Sequence, residues 1–350
     1  MVKPLELIDI VLSIYNQEEI IERVLYGIFK NTTTPFNLIL IFDGCTDRTK
    51  PRALSYIKKI NGGLLKELII KDTPNLFELR ANNVGFKLAR EKYLITLQDD
   101  MVIDDYGWER RLTYPLRQFD DILAVTGRGA QNIETIGNGK EKYTHRSARE
   151  FGSLPRNMFA IRDVINRGPI AFRTDYLKEL QYLNDAYAPG ALDDAEISLR
   201  AWRDKHWKVG AFWINYISKQ EWSKVNAPDS TMKAWESWGR NNNRLYEDFK
   251  EYLDSGDKHT SDFIIEEFEI DYSRGLFGFL KRKCLILKYP LRIDMRVIKN
   301  RRRLLVRRII KTSKFPFLEL TGYIFGTSFK MRAVEQGFKK ALISLFKKNS

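Results

Sequence analysis

Cysteine and histidine are scarce in this sequence of 350 residues, which holds two of the first and three of the second. Cys45 and Cys284 lie far apart and lack the spacing of a metal site, so we expect two free thiols in a reducing compartment. His145, His206 and His259 show no paired spacing and are expected to be surface or packing residues. The sequence therefore argues against a disulfide scaffold and against a zinc site.

Long apolar runs and known targeting or phosphate-binding patterns are missing too. No window approaches the roughly 18 uninterrupted apolar residues that cross a bilayer, so no membrane span is predicted. Residues 1–8 carry prolines and charges rather than a basic region followed by an apolar stretch, so we expect no secretory signal and a chain that stays inside the cell. The loops G-x-x-x-x-G-K-[ST] and G-x-G-x-x-G do not occur, which disfavours P-loop and dinucleotide-binding Rossmann enzymes.

Acidic residues are scarce in only one part of the chain. Residues 271–350 hold 21 Lys and Arg against 4 Asp and Glu, whereas residues 1–270 hold 38 basic and 41 acidic residues. The net charge of +14 is therefore concentrated towards the C-terminus, which indicates two different surfaces. We predict an α/β domain over residues 1–265 and a basic, amphipathic, mainly helical region over residues 266–350.

The first hundred residues alternate between short apolar runs and segments with apolar side chains at helical spacing. Strands that alternate with helices predict a mostly parallel sheet covered by helices on both faces. Asn16 is predicted to cap the first helix, and Asn31 to end it. The predicted strands are Ile8–Tyr15, Leu38–Phe42, Leu68–Lys71 and Tyr93–Leu97, and the predicted helices cover about residues 20–31, 47–60 and 79–91.

Beyond residue 105 the pattern is looser. A polar, Gly-rich stretch that follows residue 126 and continues through residue 152 predicts a mobile loop. We expect helices over residues 108–119, 174–182, 194–204 and 230–253, a strand over residues 122–126, and one or two strands within residues 207–217.

Acidic side chains follow two of the predicted strands, where ligands bind to a parallel sheet. Asp43 precedes Gly44, and it could cap its own turn or accept an N–H group of a nucleobase. Asp99 and Asp100 follow the next strand directly, and they could form a solvated turn or hold a hard divalent ion such as Mn²⁺ or Mg²⁺ beside a diphosphate. A third acidic group, Asp193 with Asp194, opens a later helix.

The Asp193–Asp194 pair also has two interpretations. Carboxylates at a helix N-terminus are stabilised by the helix dipole, and either aspartate could be the cap. Alternatively, one of them faces a cleft as a general base that takes a proton from a hydroxyl group.

Taken in order, five segments resemble glycosyltransferase family 2, whose members have the GT-A fold and use nucleotide-sugar donors. The resemblance spans about residues 8–250 and implies a GT-A-type, Rossmann-like, mostly parallel sheet flanked by helices, with the basic helical region as a C-terminal appendage. The segments are Ile10–Glu19, Leu40–Thr49, Asn82–Ile95, Leu192–Arg200 and Arg240–Tyr246.

The resemblance also implies roles for individual residues. Asp194, with Asp193 beside it in the position of the family's usual glutamate, would be the catalytic base of an inverting, single-displacement transfer. Asp100 would bind the Mn²⁺ or Mg²⁺ ion that bridges the donor's diphosphate, and Asp43 would contact the nucleobase. The full set implied for nucleotide-sugar binding is Tyr15, Asn16, Glu18, Asp43, Asn83 and Asp99.

Two positions depart from the family pattern. Gln98 stands where an acid is usual, so Asp99 and water would help Asp100 to hold the ion. The segment Ser218–Glu221 lacks the histidine that many relatives supply to the metal, and Lys219 would partly replace the cation there.

The implied function is transfer of a hexosyl or N-acetylhexosaminyl group from a UDP- or GDP-sugar to a hydroxyl of a glycan or lipid-linked acceptor, in surface polysaccharide biosynthesis. An alternative is a non-catalytic binding protein that keeps the GT-A fold, because both departures weaken the metal site. A nucleotidyltransferase is disfavoured, because its Gly-rich, Arg-containing N-terminal loop is missing.

The basic tail alternates cationic clusters with aliphatic residues, as in Arg301–Lys311 and Phe338–Lys348. Helices of this kind lie in the interface of an anionic bilayer, so we expect a cytoplasmic protein attached peripherally to the inner face of the cell membrane. The alternatives are a helical subdomain with a solvated basic face and, less favoured, binding to nucleic acid.

Overall fold

Strands alternate with helices through most of the chain. A computed structural model describes residues 6–60, 63–133, 155–218, 228–255, 259–266 and 269–270. The strands are β1 (Ile8–Ile14), β2 (Phe36–Asp43), β3 (Leu65–Thr73), β4 (Tyr93–Gln98), β5 (Val102–Ile103), β6 (Ile122–Thr126), β7 (Ala130–Gln131), β8 (Met158–Arg162), β9 (Val164–Ile165), β10 (Ile170–Arg173), β11 (Lys208–Phe212), β12 (Tyr216–Ile217) and β13 (Ser261–Ile264). The helices are α1 (Ile21–Asn31), α2 (Thr49–Lys59), α3 (Phe77–Leu88), α4 (Trp108–Gln118), α5 (Thr174–Glu179), α6 (Asp193–Lys205) and α7 (Pro228–Ser255), with a 3₁₀ turn at Asp185–Tyr187.

Nine of these strands form one sheet in the order β13-β8-β11-β6-β10-β4-β1-β2-β3. The pairs β1–β2, β1–β4, β2–β3 and β6–β11 are parallel, whereas β10 and β8 run opposite to their neighbours. The carboxyl ends of β1, β2, β4 and β6 therefore meet at one edge of the sheet, together with the start of β10. This order confirms the predicted α/β class with a mostly parallel sheet.

The central strands are apolar because both of their faces are covered. Every residue of β2 is buried, and so is every residue of β1 except the sixth. Helix α1 contributes the buried stripe Ile21, Val24, Leu25 and Ile28 on one side, and α3 packs on the other side. A continuous apolar run is the pattern expected for a parallel strand that is buried on both faces of the sheet. These strands could therefore be predicted from the sequence.

Helix α3 approaches the sheet closely at Gly85. A Cβ atom at this position would lie 2.3 Å from Cγ1 of Val11 in β1 and 3.4 Å from Cγ1 of Ile41 in β2. Only a residue without a side chain allows this approach. The glycine in the segment Asn82–Gly85 thus has a packing role, and it fixes the height of α3 above the strands that carry the site.

Several predicted elements have different bounds in the structure. The helix predicted from Asn16 begins at Ile21, and Asn16 itself has a left-handed φ of 49° and is bonded to Thr46. The strands β8, β10 and β13, each of four or five residues, were not predicted. The strands expected within residues 207–217 are two, β11 and β12.

Two predictions fall on other parts of the chain. Most of the loop predicted before residue 152 and nearly all of the basic region over residues 266–350 lie outside the described residues. Within the described ranges, no helix combines the length and the apolar character needed to cross a membrane.

Replacing Gly85 by alanine is expected to lower the free energy of unfolding by about 1–3 kcal/mol, because the new methyl group must displace Val11 in a packed core. Gly239 in α7 is the matched control, since nothing lies within 4 Å of a Cβ atom there. Gly239→Ala should be neutral or stabilising by up to about 1 kcal/mol through helix propensity. Denaturant unfolding of both variants checks the pair, and equal effects would contradict the packing role.

Candidate active site

A cavity of about 540 Å³ lies at the edge where the carboxyl ends of the parallel strands meet. It is lined by residues that follow β1, β2, β4 and β6, by the first turns of α3, and by the loop that leads into α6. A smaller cavity adjoins it and shares five lining residues, which are Glu78, Asn82, Leu97, Gln98 and Arg167.

Asp43 lies at the last position of β2 and is only 3% exposed. Its Oδ1 atom accepts hydrogen bonds from Thr73 Oγ1 at 2.7 Å and from the backbone N–H of Leu76 at 2.6 Å. The carboxylate lines the cavity and at the same time holds the turn between β3 and α3. In that turn Asn75 and Phe77, which also line the cavity, have left-handed φ values of 41° and 65°.

Asp99 lies in the middle of the cavity wall. Its Oδ2 atom accepts a hydrogen bond from the N–H of Tyr15 at 2.8 Å, and Oδ1 accepts one from Gln17 Nε2 at 3.2 Å. Burial raises the pKa of Asp99 to about 8, and the adjacent charge of Asp100 adds to the increase. A cation in the cavity would reverse this effect, because it favours the ionised form.

The two carboxylate oxygens of Asp100 differ in their hydrogen bonding. Its Oδ2 atom accepts a hydrogen bond from Ser218 Oγ at 3.2 Å, while Oδ1 is buried and has no hydrogen-bond partner among the described residues. Burial also raises the pKa of this carboxyl. A buried carboxylate oxygen without a partner fits a hard divalent cation, which takes oxygen ligands.

The described residues contain no group of three or more His, Cys, Asp and Glu side chains that could enclose a metal ion. Mg²⁺ and similar ions are commonly held by one or two carboxylates, the rest of their shell being phosphate oxygens and water. The chemistry of Asp100 fits that arrangement, so an ion here would be bound mainly together with its diphosphate.

Asp193 and Asp194 open α6 and line the smaller cavity. The Oδ2 atom of Asp194 accepts a hydrogen bond from the N–H of Arg167 at 2.7 Å, and Oδ1 accepts one from Ala195 N–H at 2.9 Å. Asp193 is ion-paired with the Arg167 guanidinium, which also pairs with Glu78 on α3. Burial raises the pKa of Asp194 to about 6, and the charge of Asp193 contributes in the same direction.

The remaining predicted residues are spread around the cavities. Tyr15 lines the larger one. Asn16 Oδ1 accepts the N–H of Thr46 at 2.9 Å, and Glu18 Oε2 accepts the N–H of Arg48 at 2.9 Å, so both side chains hold the loop after Asp43.

Asn83 points away from the larger cavity. Its side chain donates to the carbonyl of Leu183 at 2.8 Å and accepts the N–H of Leu183 at 3.0 Å, which ties α3 to the loop after α5. Its neighbour Asn82 lines both cavities instead. The donor-binding roles expected of Asn16, Glu18 and Asn83 therefore stay predictions.

Similarity to known proteins agrees with this arrangement. The sequence profile described as Glycosyl transferase family 2 matches residues 9–180. This part of the chain, just under half of its length, resembles glycosyltransferase family 2. The match covers β1 through α5 and includes Asp43, Asp99 and Asp100, whereas Asp193 and Asp194 lie beyond its end.

Several solved structures match part of this chain. TarS from S. aureus is 16% identical over 65% of this chain and 38% of its own, with a TM-score of 0.41. The mannosyltransferase PcManGT from Pyrobaculum calidifontis, solved with GDP-Man and Mn²⁺, is 12% identical over 65% and 64%, with a TM-score of 0.41. GalNAc-T7, solved with UDP, GalNAc and Mn²⁺, is 15% identical over 71% and 55%, with a TM-score of 0.44.

This chain spans less than two thirds of the length of each of these structures. No curated protein matches the sequence significantly. The mostly parallel α/β sheet flanked by helices agrees with the fold class that the resemblance predicted.

The departure from the family pattern at Gln98 has a structural counterpart. The Gln98 Nε2 atom donates a hydrogen bond of 3.0 Å to Oε1 of Glu78, so a carboxylate reaches this part of the cavity from α3. Glu78 and Arg167 were both missed by sequence reasoning, as was Arg128, which lines the larger cavity and donates to the carbonyl of Arg167 at 2.9 Å. The only sequence signal was the unexpected amide at position 98.

Proposed function

We propose that the chain is a metal-assisted, inverting glycosyltransferase that moves a sugar from a UDP- or GDP-sugar to a hydroxyl of a glycan or lipid-linked acceptor. The observation that carries the proposal is the placement of Asp43 and Asp100 in one cavity of a family 2 domain, with the Asp193–Asp194 pair in the adjoining cavity. PcManGT and GalNAc-T7 were solved with nucleotide ligands and Mn²⁺, in keeping with such a donor.

The donor has a natural orientation in the larger cavity. We place the nucleobase at the end formed by Asp43, Asn75 and Phe77, because an aromatic ring and a carboxylate acceptor suit a heterocycle that carries N–H groups. The diphosphate then lies beside Asp100 and Arg128. A bound divalent ion would supply Lewis-acid stabilisation of the charge that develops on the leaving diphosphate.

The reaction balances as a single displacement. The acceptor hydroxyl oxygen bonds to the anomeric carbon as the bond from that carbon to the diphosphate oxygen breaks, and the nucleoside diphosphate leaves with the electron pair. The hydroxyl proton goes to the carboxylate of Asp194. With a pKa of about 6, this carboxyl is mostly ionised at neutral pH and still basic enough to accept a proton.

Another part of the lining of the larger cavity, which we call the acceptor end, suits the acceptor. Trp238 of α7 is 38% exposed and lines the cavity, as do Pro189, Gly190 and Ala191. That loop leads within two residues into Asp193. An exposed indole offers a flat apolar surface for the C–H face of a pyranose ring. We therefore assign the acceptor sugar to Trp238.

Replacing Asp194 by asparagine should lower turnover about 100-fold or more, because the general base is lost while the shape of the side chain is kept. Donor affinity, measured by calorimetry with UDP- and GDP-sugars plus Mn²⁺, should change little. Asp204→Asn is the matched control, since Asp204 is an exposed residue near the end of the same helix. Full turnover in Asp194→Asn would refute the assignment of the base.

The same measurements separate the enzyme from a non-catalytic relative. A protein that only binds nucleotide sugars would give a calorimetric signal with the unmodified chain but release no free nucleotide with any donor and acceptor.

Trp238→Ala should raise the KM for a saccharide acceptor about tenfold, which corresponds to about 1.4 kcal/mol, while the donor KM is unchanged. Trp238→Phe keeps an aromatic surface and should recover most of the loss. Steady-state kinetics with either substrate varied make the comparison. Equal effects on both KM values would place Trp238 outside the acceptor end.

We also propose that residues 271–350 attach the protein peripherally to the cytoplasmic face of the cell membrane. The support is their charge of 21 basic against 4 acidic residues, interleaved with aliphatic side chains. Each cation near an anionic surface contributes on the order of 1 kcal/mol.

The full-length chain is expected to float with vesicles that contain anionic lipid and not with neutral vesicles. Changing Arg301, Arg302 and Arg303 together to glutamine should reduce flotation, and so should high salt. If the chain does not bind anionic vesicles but retards duplex DNA in a gel, the basic region binds nucleic acid instead.

A further inference from the structure

Arg167, in the turn between β9 and β10, contacts both aspartates that open α6. Its guanidinium pairs with Asp193 through one terminal nitrogen and with Glu78 of α3 through the other. Its backbone N–H donates a 2.7 Å hydrogen bond to Oδ2 of Asp194. The guanidinium is 22% exposed, so most of it is removed from solvent.

The charges around Arg167 are unbalanced without it. Glu78, Asp193 and Asp194 carry three formal negative charges, and a second cation, Arg128, donates a hydrogen bond to the Arg167 carbonyl at 2.9 Å. Asp100 adds a weaker repulsion at Glu78. Like charges at such separations cannot all stay ionised when they are buried, unless a cation offsets them.

The directions in which the pKa values of these groups are shifted agree with this balance of charges. Burial opposes the charged form of Arg167, but Asp193, Glu78 and Asp194 together raise its pKa above the ordinary value. Burial and Asp193 raise the pKa of Asp194 to about 6, while the charge and the N–H group of Arg167 act in the opposite direction. Arg167 is therefore the main group that limits protonation of Asp194.

We propose that Arg167 is a positioning residue for the general base: its guanidinium offsets the negative charge around Asp194 by pairing with Asp193 and Glu78, and its backbone N–H orients the Asp194 carboxylate. The proposal rests on the proposed function, because only a base that accepts a proton needs this support. Arg167 acts through the aspartates and is not assigned a contact with the reacting atoms.

The sign of the expected pH effect follows from the charges. Loss of the guanidinium leaves Asp193 and Glu78 uncompensated beside Asp194, so the proton on Asp194 is held more tightly. The base then becomes ionised only at higher pH. The backbone N–H of residue 167 remains in every variant, so a shift of the pH profile reports the change in the side chain alone.

The test is the pH dependence of kcat/KM for sugar transfer between pH 5 and 9. In the unmodified protein, kcat/KM is expected to fall below about pH 6 as Asp194 becomes protonated, and we call this fall the acidic limb. In Arg167→Met the limb should move up by about one pH unit or more. Arg167→Lys keeps a charge without the two-pronged geometry and should shift the limb less. An unchanged limb in Arg167→Met overturns the proposal.

Arg200→Met is the matched control. Arg200 lies on α6 itself and pairs with Glu196, four residues away, at 2.8 Å, and its other hydrogen bonds among the described residues go to the carbonyls of Leu180 and Tyr182. Its loss removes a buried ion pair of similar kind, so stability should fall while the acidic limb stays in place. A shift of equal size in this variant would mean that general loosening of α6, and not Arg167, sets the limb.

A second measurement does not depend on turnover. The ¹³C resonances of labelled aspartate carboxyls can be followed with pH in the unmodified protein, in Arg167→Met and in Asp194→Asn, which assigns the signal. A titration that moves to higher pH in Arg167→Met supports the proposal, and one that stays in place overturns it. If the unmodified protein transfers no sugar from any donor, the proposed function fails, while this titration still decides the coupling.

Discussion

Burial of several like charges at one edge of a sheet is the constraint on which the rest of this molecule depends. Carboxylates lose hydration there and repel one another, which drives their protonation. The chain offsets this by two means, hydrogen bonds from backbone N–H groups and the guanidinium of Arg167, which joins helices α3 and α6 from a turn on the sheet. The carboxylates concerned are Glu78, Asp99, Asp100 and Asp194.

The central part of the fold could be predicted because its strands are marked by patterns within short segments of the sequence. Strands β1, β2 and β4 are buried on both faces and so appear as apolar runs, and parallel strands bring their carboxyl ends together. Those two facts were enough to predict that Asp43, Asp99 and Asp100 share one edge, as they do. The helix start at Asp193 was predicted as well.

What sequence reasoning missed depends on contacts between distant residues. Arg167 meets Glu78 across 89 positions and Asp193 across 26, and no local pattern marks either pairing. The short antiparallel strands β8 and β10 have too few residues for a clear period and are defined by their neighbours. Asn82 and Asn83 are adjacent on α3, but Asn82 lines the cavity whereas Asn83 bonds to the loop after α5.

Asn241 of α7 ties this helix to the loop before α6. Its side-chain amide donates to three carbonyls of that loop, those of Tyr187, Gly190 and Ala191, at 2.8, 3.0 and 2.9 Å. The loop continues through Leu192 into the N-terminus of α6. A saccharide bound against Trp238, as proposed above, would therefore rest on a helix that is anchored to the segment preceding the carboxylate pair.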